Sequence, residues 1–146
     1  LPSTGSWVRN CAMKGPFVLQ CLERFRRPLL WLDAAAEVVR YPDIFREPEF
    51  EFAAYQPQHL CSGTLYFAPT SGARQLARAW ASLCVQQPRS WDQVLLARAL
   101  EQATGTVRFR CLPQGYCKVQ GRRWREKDQT TYILHHQASR RFKRQV

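Results

Sequence analysis

The chain has 146 residues, 45% of them hydrophobic, with five tryptophans; this excludes a disordered segment and fits one domain with a sizeable core. Lys and Arg outnumber Asp and Glu by 22 to 11, for a formal net charge of +11, so an anionic partner is favoured over a cationic one. No apolar run approaches the ~20 residues that a membrane-spanning helix needs.

The first residues, Leu1-Pro2-Ser3-Thr4-Gly5, carry neither an initiator Met nor a signal-peptide pattern, and the expectation is a chain that begins inside a longer one. Residues 7–25 read as helix, interrupted at Gly15-Pro16, with Phe17, Leu19, Cys21, Leu22 and Phe25 on an apolar face. After Arg26-Arg27-Pro28, the run Leu29-Leu30-Trp31-Leu32 reads as a short buried strand closed by Asp33. An acid beyond a strand end is well placed to meet a ligand in an α/β sheet. Tyr41–Phe45 reads as a turn or a single helical turn, residues 50–55 as a second strand and Gly63–Phe67 as a third.

Pro69-Thr70-Ser71-Gly72 breaks that strand, with Ser71 as the expected N-cap of a helix whose Leu76, Ala79, Trp80 and Leu83 form a core-facing stripe. Ser90 is the expected cap of the next helix, residues 91–102, which Thr104-Gly105 stops. Residues 107–112 and 116–119 read as strands around Pro113-Gln114-Gly115, residues 122–129 as a loop, and 132–134 as a last strand before His135-His136. The fold class is therefore α/β with a mixed sheet flanked by helices. Residues 137–146 form a basic tail that includes Arg140, Arg141 and Lys143. Such a tail suits nucleic acid or an anionic surface, or is simply solvated.

The basic excess is 18 Arg against 4 Lys; arginine suits bidentate phosphate recognition, and a GC-rich coding sequence gives the same bias. The six cysteines show no C-x-x-C pair and no zinc spacing with the three histidines, so a reduced, cytoplasmic protein is expected.

Seven segments occur in a telling order. They are Gly5–Lys14 ahead of the apolar strand and Asp33, Tyr41–Phe45, Phe52–Tyr55, Ser62–Phe67, Trp91-Asp92-Gln93, Leu112–Cys117 and Ile133–Arg140. Together they resemble nucleotide-diphospho-sugar transferases of the GT-A fold. The resemblance spans nearly the whole chain but lacks the first β-α-β unit of that fold, which implies a single, partial glycosyltransferase domain over residues 1–146.

The resemblance implies an Asp-x-Asp motif that holds Mn²⁺ or Mg²⁺ on the donor diphosphate. Asp33 matches its first acid, which serves the ribose or the metal, and Ala35 replaces the second. Glu37 lies two residues further on. His135 or His136 would add a metal ligand, and strand alternation lets only one ring enter the site. Ser62 and Gly63 would meet the donor sugar, Asp92 and Gln93 its hydroxyls or reacting face. Lys14, with Arg9, would meet the phosphates, as would Arg140, Arg141 and Lys143. Trp7, Trp31, Trp80 and Trp91 read as core, while Tyr66 and Trp124 are candidates for acceptor stacking.

The implied activity is transfer of a sugar from a nucleotide-diphosphate donor to a glycan or other acceptor. Two rivals stay open: a degenerate relative that binds nucleotide or glycan without turnover, and a basic nucleic-acid-binding module. Each residue also has a plain reading: a strand-end acid for Asp33, a helix-start acid for Asp92, surface imidazoles for the histidines, a solvated charge for Lys14.

Overall fold

The structure, a computed structural model, describes residues 7–136, with side chains from residue 9 onward. Helices α1 (Trp7–Ala12) and α2 (Lys14–Phe25) meet at Met13. The interruption thus falls before Gly15-Pro16 rather than at it. Pro16 is the third residue of α2, in the first turn, where a missing N–H costs no helical bond. Lys14 becomes the first residue of the helix.

A four-stranded sheet runs in the order β1 (Leu29–Leu32), β4 (Cys61–Phe67), β3 (Phe52–Tyr55), β5 (Phe109–Cys111). β5 is parallel to β3 and the other pairings are antiparallel. A second sheet of three short strands has the order β2 (Ala36–Val38), β7 (Ile133–His135), β6 (Lys118–Val119). This is a mixed α/β architecture consistent with a GT-A-like fold. β1 is half-buried rather than fully buried, because among the described residues it is an edge strand paired with β4 alone.

Alternation divides the larger sheet between two cores. Phe52 and Ala54 of β3, with Leu65 and Phe67 of β4, face a cluster built on α2, α3 (Ser71–Gln86) and α4 (Asp92–Gln102), including Val18, Leu22, Leu76, Trp80, Leu95 and Leu96. Ala53, Tyr55 and Tyr66 face the opposite cluster, with Leu112, Tyr116, Cys117 and Ile133. Burial on both faces explains the near-continuous apolar run in β3.

The boundaries move where side chains or turns override the pattern. Thr70, not Ser71, caps α3: its backbone is extended and its hydroxyl accepts from Ala73 N–H at 3.3 Å. Trp91, not Ser90, occupies the cap position of α4, with no side-chain cap bond. The strand expected from 116 begins only at Lys118, because Gln114–Cys117 winds into a 3₁₀ turn closed by Tyr116 N–H on Pro113 O at 3.0 Å. β2 had no counterpart in the sequence pattern.

Of the tryptophans read as core, Trp80 is fully buried, Trp31 is half-buried and Trp91 is 53% exposed; the side chain of Trp7 lies outside what is described. Tyr66 is not an open platform, being buried and stacked on Phe45 at 5.2 Å. Trp124 is half-buried with Lys118 Nζ 4.2 Å above its ring.

Gly15 sets how closely α2 approaches α3. A Cβ there would lie 3.1 Å from Cys84 Sγ, 3.2 Å from Trp80 and 3.3 Å from the Ala81 backbone. Gly15→Leu is therefore expected to push the helices apart and cost about 2 kcal/mol. Urea denaturation checks this, and an unchanged midpoint would contradict the close approach.

Candidate functional site

Four chain segments converge at one corner: the first residue of α2, the residue after β1, the second residue of β4 and the first residue of α4. Lys14 Nζ lies at their centre. It donates to Asp33 Oδ1 at 2.9 Å and to Ser62 O and Oγ at 3.1 and 3.2 Å, and it pairs with Asp92 Oδ2 at 3.0 Å. Trp31 adds its ring face 5.5 Å from the ammonium.

Burial, the largest single influence on Lys14, favours the neutral amine. The charges of Asp92 and then Asp33, with the hydrogen bond to Asp33, outweigh it and hold the ammonium above its ordinary 10.5. Lys14 sits at the positive end of α2, an unfavourable place for a cation, and two carboxylates offset that too. Asp92 is buried at the first turn of α4, where an acid is favoured by the dipole. Trp80 Nε1 donates to the Asp92 carbonyl at 2.9 Å and ties this helix start to α3. Among the described residues Asp92 Oδ2 has no well-aligned hydrogen-bond donor and relies on the Lys14 charge.

Asp33 differs from Asp92 in being open. Its side chain is 44% exposed, while Oδ1 is fixed by Lys14 and by Trp31 Nε1 at 3.1 Å. Asp33 also starts a turn, its carbonyl accepting from Ala36 N–H at 2.8 Å, a position where Asp is favoured. Its N–H donates to Gly63 O at 2.9 Å. Oδ2 and the His135 ring then meet across Gly63: a Cβ on Gly63 would lie 2.9 Å from His135 Cε1, 3.3 Å from Nδ1 and 3.4 Å from Asp33 Oδ2. The space left by glycine is thus filled by this chain's own imidazole.

His135 is buried, and its Nε2 is 2.9 Å from Thr64 Oγ1. Burial is the main reason that its pKa falls below 6.5, although Asp33 opposes the shift. A neutral imidazole is the form that can ligate a metal.

Strand alternation sends the two histidines to opposite sides. His136 is exposed, with Nε2 2.8 Å from Glu37 Oε2 and Nδ1 3.1 Å from Gln120 Oε1. His136 is therefore placed away from Asp33, and Glu37 is engaged with it rather than standing in for a second acid. Asp92 reaches the cluster through Lys14 and has a side chain only 8% exposed. Gln93 is half-buried beside it. The Lys14 ammonium, assigned to phosphate from sequence, is instead surrounded by protein acceptors. Arg140, Arg141 and Lys143 lie outside the described residues.

Among the described residues no group of three His, Cys, Asp or Glu side chains could hold a metal ion. Asp33 Oδ2 and His135 Nδ1 both lie near Gly63, and two protein donors alone would leave a bound cation to take most of its ligands from elsewhere. Thr64 and the indole of Trp31 were missed as site residues from sequence; a polar Thr inside an apolar strand was the available signal for the first.

A family model described as nucleotide-diphospho-sugar transferase matches residues 25–145. No curated protein and no solved structure matches the chain. Lys14 lies outside the matched span, whereas Asp33, Ser62, Gly63, Asp92 and His135 lie within it.

Lys14→Met leaves Asp92 buried without its counter-charge and is expected to cost about 3–5 kcal/mol at neutral pH. Because the folded pKa of Lys14 is raised, its contribution is full below 10.5 and is lost as pH rises through the higher folded value. Urea midpoints measured across that alkaline window should fall more steeply for the parent chain than for Lys14→Met. Equal slopes would contradict the assignment.

Proposed function

Because the chain belongs to the nucleotide-diphospho-sugar transferase family, we propose that it binds a nucleotide-diphosphate sugar beside Asp33, Gly63 and His135 and transfers the sugar to a glycan or other acceptor. The observation that carries this reading is the state of Asp33: half-exposed, yet with one oxygen fixed by Lys14 and Trp31. A carboxylate held this way presents its second oxygen without the entropy cost of ordering it on binding.

Charge decides how a diphosphate can approach. Asp33, Asp92 and Lys14 sum to one negative charge, from −1, −1 and +1. A diphosphate brought against them is repelled unless a cation lies between. Mn²⁺ or Mg²⁺ held by Asp33 and His135 would offset the charge that gathers on the departing nucleoside diphosphate. The protein groups do the rest of the positioning. Lys14 and Trp31 orient Asp33, Thr64 orients His135, and Asp92 keeps Lys14 charged in a buried setting. Ser62 fixes Lys14 from β4, and Gln93, half-buried next to Asp92 in the chain, is assigned to a sugar hydroxyl.

Ala35 favours a second reading, in which the donor binds without turnover. Here Ala35 replaces the second acid of the motif, and among the described residues no group of three ligating side chains could hold a metal.

Calorimetric titration with UDP and GDP, each with and without Mn²⁺, separates these readings when paired with a transfer assay. Binding should weaken at least about tenfold, or about 1.4 kcal/mol, when Mn²⁺ is withheld. Asp33→Asn should remove the metal dependence. Metal-independent binding, or none, would overturn the proposal. Metal-dependent binding without transfer in the parent chain, with transfer gained in Ala35→Asp, would identify the non-catalytic form.

A further inference from the structure

Phe25 belongs by sequence to the apolar face of α2, yet the structure leaves it 58% exposed at the helix end. It lies within six consecutive exposed residues, Glu23 to Pro28, that carry the chain from α2 to β1. A single exposed aromatic is ordinary; the company of this one is not. Of the exposed large apolar side chains among the described residues, it alone has three arginines within two positions, Arg24, Arg26 and Arg27. The Arg24 guanidinium stands 5.4 Å from the centre of the Phe25 ring, a cation–π contact that holds the two side chains together.

Arg26 is held in the left-handed region, at φ 50° and ψ 34°, with its N–H donating to Leu22 O at 3.2 Å. Glycine is the usual residue there, because a Cβ makes that conformation costly. Among the described residues no other non-glycine residue has a positive φ. Strain retained at an exposed arginine is not explained by stability of the fold. Neighbouring acids do not explain the charges either. Glu23 is paired with Arg78 at 3.0 Å, and among the described residues none of Arg24, Arg26 and Arg27 takes part in an ion pair. The carbonyl end of α2 favours a cation in its last turn, which accounts for Arg24 but not for Arg26 and Arg27 beyond it.

We infer that the corner from Glu23 to Pro28 docks on an anionic membrane surface, with Arg24, Arg26 and Arg27 on lipid phosphates and Phe25 inserted among the headgroups. Guanidinium groups match phosphate geometry, and an aromatic ring flanked by cations suits the boundary between headgroups and acyl chains. A single-stranded nucleic acid is held in a charged groove that tracks its backbone, and a projecting helix end offers none. The corner and Asp33 lie at opposite ends of β1, separated by its four residues, or about 13 Å. Docking through the corner therefore leaves Asp33 uncovered. This inference stands apart from the nucleotide-sugar reading, and its test needs no donor.

The experiment sediments the full chain with vesicles of phosphatidylcholine alone and of equal parts phosphatidylcholine and phosphatidylserine. Binding is expected to the second only, and falls as salt is raised. Arg26→Gln with Arg27→Gln should weaken it at least about tenfold, since each charge at such a surface counts for about fivefold. The same loss of charge from the exposed Arg122 and Arg123 should weaken it by less than about twofold. Phe25→Ala should reduce the part of the binding that survives high salt. Arg26→Gly should raise the urea midpoint by relieving the left-handed strain, yet lower vesicle binding; a purely structural arginine would not separate the two. No binding to the anionic vesicles, or equal losses from the two arginine pairs, would overturn the inference. So would binding of single-stranded DNA or polyglutamate, abolished by the corner variants, in a chain that ignores the vesicles.

Discussion

A single buried ammonium governs this structure. Lys14 has three protons to place, and the fold brings two carboxylates and both oxygens of Ser62 within reach. Removing such charges from water costs several kcal/mol per ion unless the pairing is close and complete. The start of α2, the end of β1, the start of β4 and the start of α4 must therefore coincide. The apolar clusters drive the collapse, and this polar knot fixes which ends of the elements meet. The close approach of α2 to α3 and the Trp80 bond to the Asp92 carbonyl act in the same direction.

From that constraint the chemistry of the corner follows. Asp92 is enclosed, and Asp33 is left half open with one oxygen occupied. The local balance is one negative charge within a chain of net charge +11. An anionic donor is drawn toward the protein as a whole but needs a cation at this spot. Thr64 extends the corner across the sheets, since it lies in β4 and contacts His135 in β7. The smaller sheet is thereby coupled to the larger one through a side-chain bond.

The sequence carried much of this where the signal was local. Leu29–Leu32 with Asp33 read as strand and acid, the stripe through Trp80 read as a core helix, and strand alternation allowed only one of His135 and His136 into the site. The misreadings share a cause: a tertiary contact decided the outcome. Ser71 is the better cap by residue type, but Thr70 takes the position, its extended backbone letting its hydroxyl accept from Ala73 N–H. Gly63 read as room for a sugar, and the His135 ring beside it comes from a strand 70 residues away. Lys14 read as a cation for the donor phosphates, and its protein partners lie 19, 48 and 78 residues away. No short-range pattern reports a contact at that separation.

The indole N–H of Trp31 is the direct reporter of the central claim, because it donates to the Asp33 oxygen that Lys14 also holds. We would follow its nitrogen–proton resonance while UDP is added in the presence and absence of Mg²⁺. The account predicts a saturable shift of this resonance only when both are present, with the Trp91 indole unmoved. A shift at Trp91 or elsewhere with Trp31 unchanged would place the ligand away from Asp33 and contradict the account.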